Sequence, residues 1–269
     1  MGKKKRNFTR VVIGGDKHCG HRVGLTPPPW QSAILGRKYY NIQRELWKEF
    51  TGIIDYLKPI DVLMMNGDAI DGRGERSGGT ELIVTNRQKQ VDMAAHCINY
   101  CKAGKVVLTR GTPYHTGKTE EWEDMLADQV NADKIGDHEF YNINGVIFDV
   151  KHNIGTSTIP HGKFTAIARD RLWNLIWSEY KMQPKADILI RSHVHYYLHL
   201  GEVDWDGYIT PALQGMGSKF GAKICSGIVH FGLIWFDIYD KPRKITGKRW
   251  EMDKYIIGIK SQRATVTKL

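Results

Sequence analysis

Long apolar runs are missing from this sequence, and no uninterrupted stretch approaches the roughly 20 residues that a membrane-spanning helix needs. The basic residues 1–6 are not followed by the apolar segment of a secretory signal. No Pro/Gly/Ser-rich linker, internal repeat or low-complexity tract divides the chain. We therefore expect a cytoplasmic protein with no membrane partner. We also expect a single domain over residues 1–269, with a basic tail at 1–7 and a C-terminal extension at 250–269.

Cysteine is scarce, and the sequence holds four: Cys19, Cys97, Cys101 and Cys225. Disulfide scaffolds are typical of small secreted domains, whereas a chain of 269 residues can build a sufficient hydrophobic core without them. Cys97 and Cys101 are four residues apart in a predicted helix, so they share one side of it. The sequence predicts buried, reduced thiols rather than disulfides.

Acidic residues are outnumbered by basic ones, 29 to 39, which gives a formal net charge of +10. Such a balance favours polyanionic partners such as nucleic acid. Part of the excess lies near the ends, in residues 3–6 and 241–248, where solvated surface charge is the simpler interpretation. The charge therefore favours a nucleic-acid partner without establishing one.

Short apolar runs and helical periodicity alternate along the first half of the chain. Strands are predicted at 8–14, 61–65, 105–109, 140–143, 146–150, 186–190, 198–204, 207–210 and 228–239. Helices are predicted at 39–57, 81–102, from 119 onward, and at 164–180. The eight tryptophans fall mostly at strand or helix positions and are expected in the core. The order predicts an α/β protein with a mixed sheet and an added antiparallel sheet.

Carboxylates and imidazoles follow five of the predicted strands, directly beyond their ends. They are Asp16 and His18, Asp68 and Asp71, His115, His152, and His193 and His195. These side chains are poor core residues but suit Mn, Fe, Zn and similar ions. Because alternate residues of an extended segment point the same way, Asp16 and His18 can reach one ion, as can His193 and His195. The pattern predicts a metal site at the strand ends.

In this order the motifs resemble those of the calcineurin-like metallophosphoesterases, which read Asp-x-His, Gly-Asp, Gly-Asn-His, a lone His and Gly-His-x-His. The resemblance spans residues 11 to about 200, and residues 16–28 look like those of small phage- or plasmid-type members. It implies a sandwich of two mixed β-sheets flanked by helices. It also implies two divalent metal ions, with manganese as the expected ion and Fe, Zn, Ni or Mg as alternatives.

The resemblance also implies roles for individual residues. Asp16, His18 and His195 are expected to hold the first metal, His152 and His193 the second, and Asp68 to bridge the two. A hydroxide that bridges the metals is expected to attack phosphorus. Asp68 and His115 are the predicted catalytic residues, with His115 either protonating the leaving oxygen or filling a gap among the ligands.

Two departures from the family pattern concern the second metal. Thr112 stands where the family has its ligand Asn, and His115 comes three residues later rather than directly after it. A neutral hydroxyl is a weaker ligand, so Asn66 is considered as another oxygen donor, although strand packing also explains it. Ser192 replaces the glycine before His193, which is a mild change. Asp71 is expected either to orient a ligand histidine or to cap a turn.

The sequence predicts a phosphate ester as the substrate but leaves open which class of phosphate ester it is. His21, Arg73 and Arg110 flank the metal loops and are candidates to bind phosphate, against solvated loop positions as the alternative. Trp30, in the proline-rich loop, is a candidate to stack on a base. A phosphate-ester substrate is expected, with DNA or RNA first. Small nucleotides or phosphoproteins, and a non-catalytic metal-binding scaffold, are the alternatives. No feature of the sequence selects an oligomeric state.

Overall fold

The computed structural model describes residues 6–117, 121–157, 159–216, 229–244 and 246–259. Eleven strands are present in this part of the chain: β1 Phe8–Gly14, β2 Val62–Asn66, β3 Lys105–Thr109, β4 Lys134–Gly136, β5 His138–Ile143, β6 Val146–Lys151, β7 Ile188–Arg191, β8 Leu198–Gly201, β9 Asp206–Ile209, β10 Val229–Tyr239 and β11 Trp250–Ile259. The α-helices are α1 Arg37–Leu57, α2 Arg87–Cys101, α3 Pro113–Thr116, α4 Trp122–Gln129 and α5 Lys163–Glu179. Short 3-10 helices lie at Pro28–Trp30, Glu75–Ser77 and Pro160–Gly162.

Two mixed sheets form the centre of the fold. The first has six strands in the order β11-β10-β1-β2-β3-β4, and the second has five in the order β5-β6-β7-β9-β8. In the first sheet, β1 to β4 run parallel, while β10 and β11 are antiparallel additions at one side. In the second, β6, β7 and β9 run parallel between the antiparallel strands β5 and β8. The sandwich of two mixed sheets that the resemblance implies is confirmed. The prediction of an added antiparallel sheet is wrong, because β6, β7 and β9 pair in parallel.

The alternation of side chains along each strand separates three layers of core. Val11, Ile13, Phe148, Ile190 and Phe236 are fully buried in one cluster that joins the two sheets. The opposite face of the first sheet packs against α1 and α2 through a cluster that includes Val12, Leu63, Phe50, Ile54 and Ile98. Helix α5 covers the outer face of the second sheet, with Ile167 against Leu189 and Ile209.

Helix α2 begins at Arg87, and the prediction of a helix from residue 81 is wrong. The side chain of Asn86 accepts a hydrogen bond from the backbone N–H of Lys89, which caps the helix at this point. Before the cap, the backbone bonds to the first loop instead, with the Glu81 carbonyl accepting from Arg22 and the Ile83 N–H donating to Gly20. Tertiary hydrogen bonds here replace the helical ones that periodicity predicts.

The C-terminal part of the described chain is not a separate appendage. Trp250–Ile259, within the predicted extension, is the edge strand β11 and pairs with β10 over ten residue pairs. Residues 260–269, the basic tail at 1–5, Cys225 and the predicted helix start at 119 lie outside the described residues. Cys19, Cys97 and Cys101 are buried free thiols, as expected. No described helix combines the length and apolarity needed to cross a bilayer, and the cytoplasmic location stays a prediction.

Candidate metal centre

The predicted ligands meet where strands of both sheets end. Asp16 and His18 follow β1, Asp68 follows β2, Thr112 follows β3, His152 follows β6, and His193 and His195 follow β7. Backbone hydrogen bonds join the loops: the Asp16 N–H donates to the Gly67 carbonyl and the His18 N–H to the Asp68 carbonyl, each at 3.0 Å. The Asp16 carboxylate accepts from the His193 N–H at 3.1 Å, which links the two sheets.

The loops that carry the ligands have an unusual backbone. Asp16, His18, Asp68, His193 and His195 all have positive φ, between 44° and 74°. Side chains with a Cβ rarely adopt this region, and such residues cluster at functional sites. The expectation that Asp16 and His18, and likewise His193 and His195, lie on extended segments is therefore wrong. Their side chains still converge, because the left-handed turns aim them at one space.

The first cluster consists of Asp16, His18 and His195. The Asp16 Oδ1 atom lies 3.3 Å from His195 Nε2 and 3.9 Å from His18 Nε2. The two histidine Nε2 atoms are 3.2 Å apart. One candidate ligand atom from each residue lies within 4.8 Å of the other two. Two nitrogens and a carboxylate oxygen around one point form a donor set suited to a divalent transition metal.

The second cluster consists of Asp68, His152 and His193, with Thr112 between them. Asp68 Oδ2 lies 3.1 Å from His152 Nε2, and the Thr112 hydroxyl lies 3.2 Å from both Asp68 Oδ2 and His193 Nδ1. Asp68 also belongs to a third grouping, with His18 and His115. Asp68 therefore belongs to the second cluster and also lies close to His18 of the first.

Hydrogen bonds behind the ligands fix which ring nitrogen faces the site. The His152 Nδ1–H donates to the Asn66 carbonyl at 2.7 Å, which leaves Nε2 toward Asp68. His18 Nδ1 lies 3.2 Å from the Asp71 carboxylate, which leaves its Nε2 toward Asp16. Partners of this kind orient metal-binding histidines. The geometry of Asp71 matches the predicted orienting role rather than a turn cap.

The electrostatics of the site fit bound cations. Asp16 Oδ1 is buried and accepts no hydrogen bond from the described residues. Burial opposes charge on His152, but the Asp68 carboxylate outweighs burial and raises the pKa of His152 to about 10. Against the same effect of burial, the Asp16 carboxylate raises the pKa of His195. A proton on His152 thus balances the buried Asp68 carboxylate, and a divalent ion would supply that charge and release the proton.

His18 differs from its neighbours in its charge state. Burial lowers the pKa of His18 to about 4, and the charge of His115 contributes in the same direction. His18 is therefore neutral near pH 7, as a metal ligand must be. His115 lies beside it, with ring centroids 4.5 Å apart.

Helix α3 explains why His115 is displaced in sequence from Thr112. Thr112 is the N-cap residue of this single helical turn, and its carbonyl accepts from the His115 N–H at 2.8 Å. One turn therefore returns His115 toward the site. The His115 Nδ1–H donates to the Asp71 carbonyl at 3.1 Å, which leaves its Nε2 available for proton transfer. The structure brings the predicted acid and the predicted ligands together.

Thr112 offers a direct test of the second metal position. Its side chain makes no cap hydrogen bond and instead faces Asp68 and His193. We expect Thr112→Asn, which supplies a carbonyl oxygen, to tighten Mn²⁺ binding at the weaker of two sites by about tenfold. We expect Thr112→Val, which removes the hydroxyl at nearly constant shape, to weaken it. Calorimetric titration of the metal-stripped proteins with Mn²⁺ measures the affinity of each variant. If the affinity of the weaker site is unchanged in both variants, Thr112 does not lie at the second metal position.

Glu123 is a site residue that the sequence analysis missed. It is fully buried on α4, and its carboxylate accepts from the backbone N–H of Ala69 at 2.8 Å and from that of Gly111. Burial raises the pKa of Glu123 to about 7, with the charge of Asp68 acting in the same direction. An available signal was its spacing, because Glu123, Leu126, Ala127 and Val130 form one helical stripe that is otherwise apolar.

Gly111 allows the loop after β3 to approach Asp68 closely. A Cβ at Gly111 would overlap the backbone nitrogen and the Oδ1 atom of Asp68. The position therefore requires glycine, and the Thr112 N–H that follows donates to the same Oδ1 at 2.6 Å. The Asn66 Nδ2 group donates to Ser192 Oγ at 2.7 Å, which ties β2 to the second sheet, while its Oδ1 atom accepts no hydrogen bond from the described residues.

The three candidate phosphate-binding residues differ in placement. His21 is 4% exposed, so the alternative of an exposed loop position is wrong; its Nδ1 accepts from the Val23 N–H at 3.2 Å. Arg73 is exposed on its loop. The Arg110 guanidinium pairs with Asp124 at 2.6 Å and Asp137 at 3.4 Å, so a phosphate would have to compete with two carboxylates.

Comparison with known proteins gives similarity in structure only. No family model and no curated protein matches the chain. An archaeal protein described as a novel phosphodiesterase is 12% identical, with 93% of this chain and 100% of that chain covered and a TM-score of 0.45. Vacuolar Protein Sorting 29 from Cryptosporidium parvum is 10% identical, with 94% and 100% covered and a TM-score of 0.47. A predicted phosphoesterase from Streptococcus pneumoniae is 7% identical, with 94% and 100% covered and a TM-score of 0.37.

These neighbours include proteins named as phosphoesterases, the class that the motifs resemble. At such identities and TM-scores the likeness carries no functional argument. The side chains of the candidate metal centre therefore decide which function the chain can support. The finer resemblance to phage- or plasmid-type members stays a prediction.

Proposed function

We propose that this protein is a metal-dependent phosphodiesterase that cleaves phosphodiester bonds of nucleic acid. It holds two divalent cations, and manganese is the favoured ion. The observation that carries the proposal is the pair of Asp/His clusters, Asp16/His18/His195 and Asp68/His152/His193, which a third grouping of His18, Asp68 and His115 joins. When bound, the pair of cations supplies Lewis-acid stabilisation of phosphoryl oxygens and an activated water. The protein supplies the rest of the chemistry through its own side chains.

The residues around the clusters have separate tasks in this proposal. Asp68 turns its Oδ2 atom toward His152, while its Oδ1 atom is held by the backbone of Thr112. Asp71 fixes the ring of His18. His115, anchored through Nδ1 to the Asp71 carbonyl, presents Nε2 as the proton donor to the departing alcohol oxygen.

Two observations bear on the substrate. The net charge of +10 favours a polyanion, and Arg73 is exposed on a loop close in sequence to the ligand Asp68 and to Asp71. Small nucleotides and phosphoproteins are the alternative substrates, because the same metal chemistry serves them. Nucleic-acid binding falls steeply with salt, whereas turnover of a small ester is much less sensitive.

A non-catalytic metal-binding scaffold is the second candidate, and Thr112 favours it. A neutral hydroxyl at the second cluster is a weaker donor than the amide oxygen of the family pattern. A scaffold of this kind binds metal but turns over neither diester nor monoester. Metal binding and turnover therefore separate the two candidates.

The test is to strip the protein of metal, restore Mn²⁺, and assay bis-p-nitrophenyl phosphate and p-nitrophenyl phosphate side by side. We expect diester cleavage that disappears on metal removal and returns with Mn²⁺. Cleavage of the monoester alone would overturn the diesterase assignment, and bound metal without turnover would favour the scaffold. Labelled DNA and RNA, assayed at 50 and 200 mM salt, then test the substrate class.

A further inference from the structure

The outer face of α5 carries two exposed tryptophans, contrary to the expectation that tryptophans lie in the core. Trp173 is 50% exposed and Trp177 is 41% exposed. Their rings are stacked, with centroids 6.2 Å apart and planes inclined by 23°. The inner face of the helix is already occupied by Ile167, Arg171 and Asn174. The tryptophans are therefore not needed to pack α5 on its sheet.

Cations flank the tryptophan pair at both ends. Arg169 lies four residues before Trp173 on α5, the spacing that places side chains along one side of a helix, and Lys181 lies in the turn after the helix ends at Glu179, with a φ of 57°. Both cations are exposed, and neither forms an ion pair with any residue in the described ranges. Glu179 is the exposed acid of this segment. We call the two rings, with Arg169 before them on the helix and Lys181 in the turn after it, the α5 track.

The beginning of α5 lies next to the metal centre. The Lys163 ammonium is 4.4 Å from the centroid of the Tyr196 ring, and Tyr196 directly follows the predicted ligand His195. With a rise of 1.5 Å per residue, Trp177 lies about 21 Å from Lys163 along the helix axis. A strand of a few nucleotides that lies along α5 would therefore extend from the tryptophans toward the metal ligands.

We propose that the α5 track binds single-stranded nucleic acid, with bases stacked on Trp173 and Trp177 and phosphates next to Arg169 and Lys181. Base stacking on exposed aromatic rings combined with a cationic groove is how proteins bind single strands without sequence preference. In a duplex the faces of the bases are covered by their neighbours, so the rings have nothing to stack on. The inference rests on the proposed function, since it names the form of the substrate.

A second copy of the chain is the other occupant to consider for this face. Two-fold packing of α5 on itself, centred between the tryptophans, would set Arg169 of one chain opposite Lys181 of the other. Like charges in that position oppose association. The charge of the track therefore favours an anionic strand over a second copy.

The test measures binding without cleavage. Fluorescence anisotropy of labelled twelve-nucleotide oligo(dT) and oligo(rU) is followed in EDTA, with the duplex of the same length for comparison. We expect each of Trp173→Ala and Trp177→Ala to weaken single-strand binding about fivefold, and the double variant about 25-fold. Leu172→Ala, which removes a neighbouring side chain that is 56% exposed, is the matched control and is expected to bind normally.

The remaining outcomes separate this inference from the proposed function. Hydrolysis of bis-p-nitrophenyl phosphate is expected to be unchanged in the double variant, because the small ester does not reach the track. Equal binding of duplex and single strand, or unchanged binding by the double variant, would overturn the inference even if diesterase activity is present. A dimer in sedimentation that the double variant converts to monomer, with DNA binding unaffected, would identify a second copy as the occupant.

Discussion

Replacement of Asp68 by asparagine is expected to lower Mn²⁺-dependent turnover of bis-p-nitrophenyl phosphate by about three orders of magnitude. Stabilisation by a metal ion contributes several kcal/mol to such a reaction, and each 1.4 kcal/mol is worth about tenfold in rate. Asp68 Oδ2 lies among the ligand atoms of the second cluster, and the same residue is grouped with His18 and His115. Asparagine keeps the size of the side chain but loses its charge, so both halves of the site are weakened at once.

The variant is compared with Asp253→Asn, which makes the same chemical change on the exposed edge strand β11. The number of metal ions bound per protein molecule is measured by inductively coupled plasma mass spectrometry for both variants. Circular dichroism checks that both are folded. We expect fewer bound ions only in Asp68→Asn. Full turnover by this variant would refute the assignment of the metal centre itself.

Glu123→Gln is expected to weaken Mn²⁺ binding by up to about 100-fold, the upper end of what residues behind metal ligands contribute. The two oxygens of Glu123 each accept one backbone N–H, one from Ala69 on the loop that carries Asp68 and one from Gly111 on the loop after β3. In glutamine one oxygen becomes an NH₂ group, which cannot accept, so one N–H loses its partner. We also expect the unfolding free energy of the metal-free protein to fall by about 1–3 kcal/mol.

The control for this change is Glu121→Gln, an exposed glutamate two residues earlier. Calorimetric Mn²⁺ titration and urea unfolding are measured for both variants. A stability loss with unchanged metal affinity would mean that Glu123 supports the fold but does not position the loop of Asp68. Normal behaviour in both measurements would show that the two backbone hydrogen bonds contribute little.

The sequence predicted most of the fold, and the Asp and His residues that gather in the candidate site, because both depend on local signals. Strands such as Phe8–Gly14 and Lys105–Thr109 are apolar runs that end at glycine or polar residues. Since the chemistry of such folds lies beyond the carboxyl ends of strands, each run also located its ligands. The six predicted ligands gather in two clusters, although their individual roles stay predictions.

The sequence could not predict features that depend on contacts between distant segments. Strand β4, of three residues, exists through its pairing with β3. Arg110 is held by Asp124 and Asp137, which lie 14 and 27 residues away in sequence. Trp173 and Trp177 face outward because other residues of α5 fill the inner face. The burial of Glu123 likewise depends on loops that reach it from β2 and β3.

The left-handed backbone of the ligand loops has a consequence for how the protein acquires its metal. Each non-glycine residue in that conformation costs about 1–2 kcal/mol relative to ordinary geometry, and five predicted ligands adopt it. Hydrogen bonds between the loops offset part of this cost, since the Asp16 N–H donates to the Gly67 carbonyl and the His193 N–H donates to the Asp16 carboxylate. An ion that binds these residues would offset more of the cost, so we expect ion binding and the formation of these turns to stabilise each other.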